Sequence, residues 1–170
     1  MKQSSTMDHD QRVSVLSTIA SLSGCTKRLK RLPDGHIPDV LQIDTVSNML
    51  FIGDAKHTET PGNLDTRLRL LPYLRWIVLH VNRAKDAVAV FALCFGTARH
   101  RSAWKDTVLC LCREAGFDSV SIHEMSLGSR IYILWFAVVS NSAARREIDA
   151  RIHSRASSTS SLARIRAGLS

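Results

Sequence analysis

The sequence predicts an α/β protein, a central mixed sheet flanked by helices, with a basic C-terminal tail. Three observations predict it. Segments with apolar residues at helical spacing alternate along the chain with short segments of strand character. The run from Asp86 to Phe95 is apolar almost throughout, as in a strand covered on both faces. Two neighbouring stretches, Ile37 to Asp44 and Met49 to Lys56, read as paired strands separated by the turn formers Thr45, Ser47 and Asn48.

Taken in order, residues 1–9 are polar and read as lying outside any element. A first helix is predicted from Asp10 to about Leu22, on Val13, Val15, Leu16, Ile19, Ala20 and Leu22; Asp8 or Asp10 would cap it and Gly24 would end it. Lys27, Arg28, Lys30 and Arg31 then form a basic loop, and Leu32 to His36 a turn. The hairpin follows. Beyond the polar loop 57–63, Asn63 would cap a long helix reaching about Lys85, with Leu64, Leu68, Leu71, Leu74, Val78 and Val81 inward and Pro72 kinking it.

After the apolar strand, Arg99 to Ala115 reads as a helix with Trp104, Val108, Leu111 and Cys112 inward, stopped by Gly116. Val120 to His123 and Ile131 to Val139 read as two more strands, with Trp135 and Phe136 in the core. Composition shifts at Asn141. The predicted organisation is therefore a domain over 1–140 and a basic, Ser/Arg-rich arm over 141–170, with six arginines against two acids.

The chain has 170 residues, 45% of them hydrophobic and 22% charged, which suits one domain with a real core. A net charge of +8, with arginine far outnumbering lysine, favours a polyanionic partner. Cys25, Cys94, Cys110 and Cys112 form no CxxC pair, so neither a disulfide framework nor a zinc site is expected and a cytoplasmic setting is the default. The longest apolar run, Ile131 to Val139, is too short to span a bilayer, so no membrane partner is expected.

Chemistry concentrates on the hairpin. Closed symmetrically about Val46-Ser47, it places Asp39 opposite Asp54, and Lys56, two residues on, shares their face. Two carboxylates brought together repel unless a cation joins them. Their oxygens suit Mg²⁺ or Mn²⁺.

Pro38-Asp39, followed on the next strand by Asp54-Ala55-Lys56, resembles the PD-(D/E)xK nuclease superfamily, whose fold is restriction-endonuclease-like. The resemblance spans roughly residues 10 to 125 as a layout and rests on these few positions. It implies a Mg²⁺-dependent phosphodiester hydrolase, a DNA endonuclease that is structure-selective or weakly sequence-specific. Asp39 and Asp54 would hold the metal with the Ala55 carbonyl, and Lys56 would serve catalysis. In many members the first helix adds an acidic residue; this helix has none after Asp10, so either Asp10 serves or the site lacks that ligand, and Glu59 is a candidate accessory ligand.

Lys27, Arg28, Lys30, Arg31, Arg67, Arg101 and Lys105 are candidate contacts to nucleic acid. A homodimer is left open. Two other readings compete: a binding module whose acidic site is vestigial, and a basic interaction protein on the same fold.

Overall fold

The computed structural model describes residues 8–56, 61–84, 86–97, 99–117, 120–127 and 131–139, together with Arg146, Asp149, Ala150, Ile152 and His153. Three helices flank a six-stranded mixed sheet. The elements are α1 (His9–Ser23), β1 (Lys27–Arg28), β2 (Val40–Asp44), β3 (Met49–Lys56), α2 (Leu64–Arg83), β4 (Val88–Phe95), α3 (Arg101–Ala115), β5 (His123–Leu127) and β6 (Ile131–Val139). The sheet order is β1-β2-β3-β4-β6-β5, with β3 and β4 parallel and every other neighbouring pair antiparallel.

Alternation along the strands builds two cores. Phe51, Val90, Ala92, Ile133 and Trp135 face α1, whose Val15, Leu16, Ile19 and Ala20 close that side. Ile52, Phe91, Leu93, Leu134 and Phe136 face α2 and α3, where Leu70, Leu74, Ile77, Trp104, Val108 and Leu111 cover them. The central strand β3 is buried along its whole length, Asp54 and Lys56 included, where the sequence pattern suggests a half-buried strand.

α1 begins one turn before its apolar stripe. Asp8 caps it, its carboxylate accepting the Gln11 N–H at 2.8 Å while the Gln11 side chain accepts the Asp8 N–H. His9 is thus the first helical residue and not part of a polar leader. Gly24, at φ 114°, ends the helix as expected.

The hairpin register matches the expectation: Val40 pairs with Gly53, Leu41 with Ile52 and Asp44 with Met49. The Asp44 carboxylate closes the turn by accepting the N–H groups of Val46 and Ser47. Gly53 permits the close approach of α1. A Cβ there would stand 3.1 Å from a Phe51 ring carbon, 3.3 Å from Val40 Cβ and 3.4 Å from Leu16 Cβ.

Three expectations need correction. Lys27–Arg28 is a short edge strand, because its backbone pairs with Ile43 and Gln42. On α2 the inward face is Thr66, Leu70, Tyr73, Leu74 and Ile77, whereas Leu64 and Leu68 are exposed. Apolar residues surround this helix, so the choice of face falls to the fit against the sheet. The penultimate strand in sequence starts at His123 and not at Val120. Within the expected arm, Asp149 and Ile152 are buried and Ile152 joins the α1-side core. Most of the expected arm lies outside the described residues.

The four cysteines carry no disulfide. Burial pushes the Cys25, Cys94 and Cys112 thiols up to about 12, so they are inert packing groups. No described helix is long and apolar enough to cross a membrane.

Candidate active site

The site forms where the chain enters β2 and leaves β3. Asp39 immediately precedes β2, and continuing the observed register sets it opposite Asp54. Its Oδ2 accepts the Ala55 N–H at 2.7 Å, which fixes the carboxylate against β3. A strand residue directs its N–H and C=O to the same side, so the Ala55 carbonyl is turned toward Asp39 as well.

Asp54 and Lys56 lie side by side on the α2-facing side of β3. Their charged atoms, Asp54 Oδ2 and Lys56 Nζ, are 2.5 Å apart, with 4% and 0% of the side chains exposed. The Lys56 ammonium is thus the charge partner of Asp54 Oδ2. Burial holds the Asp54 carboxyl up, to about 6; Lys56 opposes the shift, and the Asp39 carboxylate adds to it by contact and by charge. Tyr73 of α2 closes the far wall, its hydroxyl donating to the Ile37 carbonyl at 3.2 Å.

Sequence reasoning missed His9. Its Nε2 stands 3.4 Å from Asp39 Oδ1, so the start of α1 delivers an imidazole where an acidic residue was sought. The signal was present: Asp8 and Gln11 spell a capping box, which makes His9 the first residue of the helix. Asp10 is fully exposed and meets His9 at 3.5 Å, and it does not complete the carboxylate pair. Glu59 lies outside the described residues.

The basic candidates divide. Lys30 and Arg28 border the approach to Asp39, and Lys27 and Arg31 are exposed on the same segment. Arg101 and Lys105 open α3, which starts just after the end of β4 where Phe95 pairs with Lys56. Lys105 is 3.8 Å from Glu124. Arg67 is engaged elsewhere, bonded to Glu114 of α3 at 2.7 Å, and serves as a tie between helices.

Whether a divalent cation suits the site turns on its donors. Two carboxylates and a backbone carbonyl lie together, all hard oxygen ligands of the kind Mg²⁺ and Mn²⁺ take, with the Lys56 ammonium already against Asp54 Oδ2. The residues fit such an ion. Among the described residues no group of three or more His, Cys, Asp and Glu side chains is arranged to hold a metal, so waters or substrate oxygens would complete the shell.

Comparison with protein-family models, with curated proteins and with solved structures returns no match.

Proposed function

We propose that the protein is a metal-dependent nuclease of PD-(D/E)xK type, built on a restriction-endonuclease-like core and acting on DNA. One observation carries this reading: Asp39 and Asp54 meet across the hairpin with Lys56 beside them, in a basic protein. Asp39, with a quarter of its side chain exposed, is the group open to an incoming phosphate.

Asp39, Asp54 and the Ala55 carbonyl would hold a divalent cation, which would supply Lewis-acid charge for a bound phosphate and lower the pKa of a bound water. Asp39 is pre-positioned by the Ala55 N–H, so little reorganisation is needed to take up the ion. Lys56 holds its ammonium in a water-poor setting, where its attraction for charge developing on the phosphate is strong. It also orients the attacking water.

A binding-only reading is favoured by one feature, the direct Asp54–Lys56 contact, which neutralises both groups in place. Incubating the protein with supercoiled and linear DNA, with Mg²⁺ or with chelator, separates the two. Mg²⁺-dependent cleavage that disappears in Asp54→Asn supports the nuclease. Salt-sensitive binding without cleavage supports the binding module.

A further inference from the structure

A groove runs between the outward face of α1 and the edge strand β1. It has a volume of about 740 Å³ and is lined by Asp10, Val13, Ser14, Ser17, Thr18, Ser21 and Leu22 of the helix and by Arg28 of the strand. Through Ser17 and Arg28 it continues into a recess of about 220 Å³ that reaches Lys30 and Asp39. The Thr18 and Ser21 hydroxyls bond back to the carbonyls of Ser14 and Ser17, leaving the Ser14 and Ser17 hydroxyls to face the groove.

A second observation points to a ligand. Gln42 lines the recess directly across the β1–β2 ladder from Arg28. It is 3% exposed, yet its Oε1 has no hydrogen-bond partner among the described residues. Buried amide oxygens are normally satisfied, so this one awaits a donor that the folded body does not provide.

We propose that the groove holds a single strand of nucleic acid leading to the phosphate at Asp39. Arg28 and Lys30 take phosphates, Ser14 and Ser17 donate to phosphate or sugar oxygens, and Gln42 Oε1 accepts an N–H or O–H of the nucleotide. A duplex, with grooves of about 6 and 12 Å between its two backbones, is too broad for a recess of ligand size. None of the described lining residues is aromatic, so bases are not stacked on the protein; affinity comes from the backbone contacts, and the donor to Gln42 is a base N–H. The inference rests on the nuclease reading and specifies its substrate: a duplex bearing a single-stranded tail or flap.

The test uses the full chain carrying Asp54→Asn, to prevent cutting, and fluorescence anisotropy at low salt. A blunt duplex is compared with the same duplex bearing a short single-stranded tail. The tailed form is expected to bind about tenfold tighter, since each added phosphate contact contributes measurably at low salt. Arg28→Glu, at an exposed position, and Ser17→Trp, which fills the groove, should each lower tailed affinity by a larger factor than blunt affinity and so erase the tail preference. Gln42→Leu should raise Tm while lowering tailed affinity. Equal binding of blunt and tailed DNA, or a tail preference that survives Arg28→Glu and Ser17→Trp, overturns the proposal. Full competition by a free mononucleotide also overturns it, by showing a small-molecule pocket. Metal-dependent cleavage without tail preference removes the groove alone, whereas tail preference without cleavage by the wild-type protein removes the nuclease reading alone.

Discussion

Asp39 Oδ2 accepts the backbone N–H of Ala55 at 2.7 Å, so a carboxylate outside the sheet is tethered to the strand that carries Asp54 and Lys56. The bond replaces a regular rung of the β2–β3 ladder by a side-chain rung at its open end. It sets how closely the two carboxylates approach before any cation arrives.

Lys56 is fully buried, which decides how its role is best tested. Lys56→Met preserves the volume of its stem and removes only the charge. Cleavage is expected to fall about 10²–10³-fold, the range for losing one transition-state charge stabiliser, with DNA affinity held within a few-fold. Wild-type cleavage rates in this variant would remove Lys56 from the mechanism.

Burial and Asp39 keep Asp54 protonated up to about 6, against 3.8 for an ordinary aspartate. The folded chain retains this proton where the unfolded chain has released it. This group's contribution to stability is thus full below the unfolded pKa and is lost as pH rises through about 6. A cation should reverse the loss. Mg²⁺ is expected to raise Tm at about pH 7.5 and to have little effect at about pH 5, where the proton competes for the carboxylate. Thermal unfolding with and without Mg²⁺ at both pH values checks this; equal shifts would show the ion binding elsewhere.

Gly53 is where β2, β3 and α1 crowd together. Gly53→Val is expected to destabilise the fold by about 1–3 kcal/mol, the usual range for overpacking a filled core. Urea denaturation measures it. An unchanged midpoint would mean that α1 sits on the hairpin more loosely than these distances indicate.

Ile152 is 1% exposed within the α1-side core, and Asp149 pairs with His123 at 2.8 Å. Ile152→Ala should therefore cost about 2–5 kcal/mol, as core truncations do. Chain truncation after Ser140 should lower Tm as well as weaken DNA binding. Unaltered melting in both proteins would return this segment to the role of a loose arm.

Much of the site was legible because a hairpin has few registers. Both faces of the hairpin are buried, so the turn centred on Val46-Ser47 is what sets the register, Val40 opposite Gly53 and Leu41 opposite Ile52, and it opposes Asp39 and Asp54. The inward residues of α3 were also legible, since Trp104, Val108, Leu111 and Cys112 are the apolar face of an otherwise polar helix. On α2 the pattern was ambiguous, because leucines occupy several faces and only the sheet selects among them. β1 left no hydrophobic trace, its contribution being backbone bonds from a Lys-Arg pair. Gln42 could have been noticed as a polar residue at an inward position of an apolar strand. Its meaning depends on α1 and Arg28, which the strand's own sequence does not position.

The place of Asp54 and Lys56 on the fully buried central strand bears on how the chain tolerates change over generations. A buried ion pair is a poor bargain for folding alone, and well-packed apolar residues of similar size are often neutral or stabilising in its place. Mutation therefore offers this chain frequent routes to a sturdier, uncharged β3. A lineage released from selection on these charges would be expected to drift toward aliphatic pairs at positions 54 and 56, whereas one that retains both through divergence elsewhere is being held there by use.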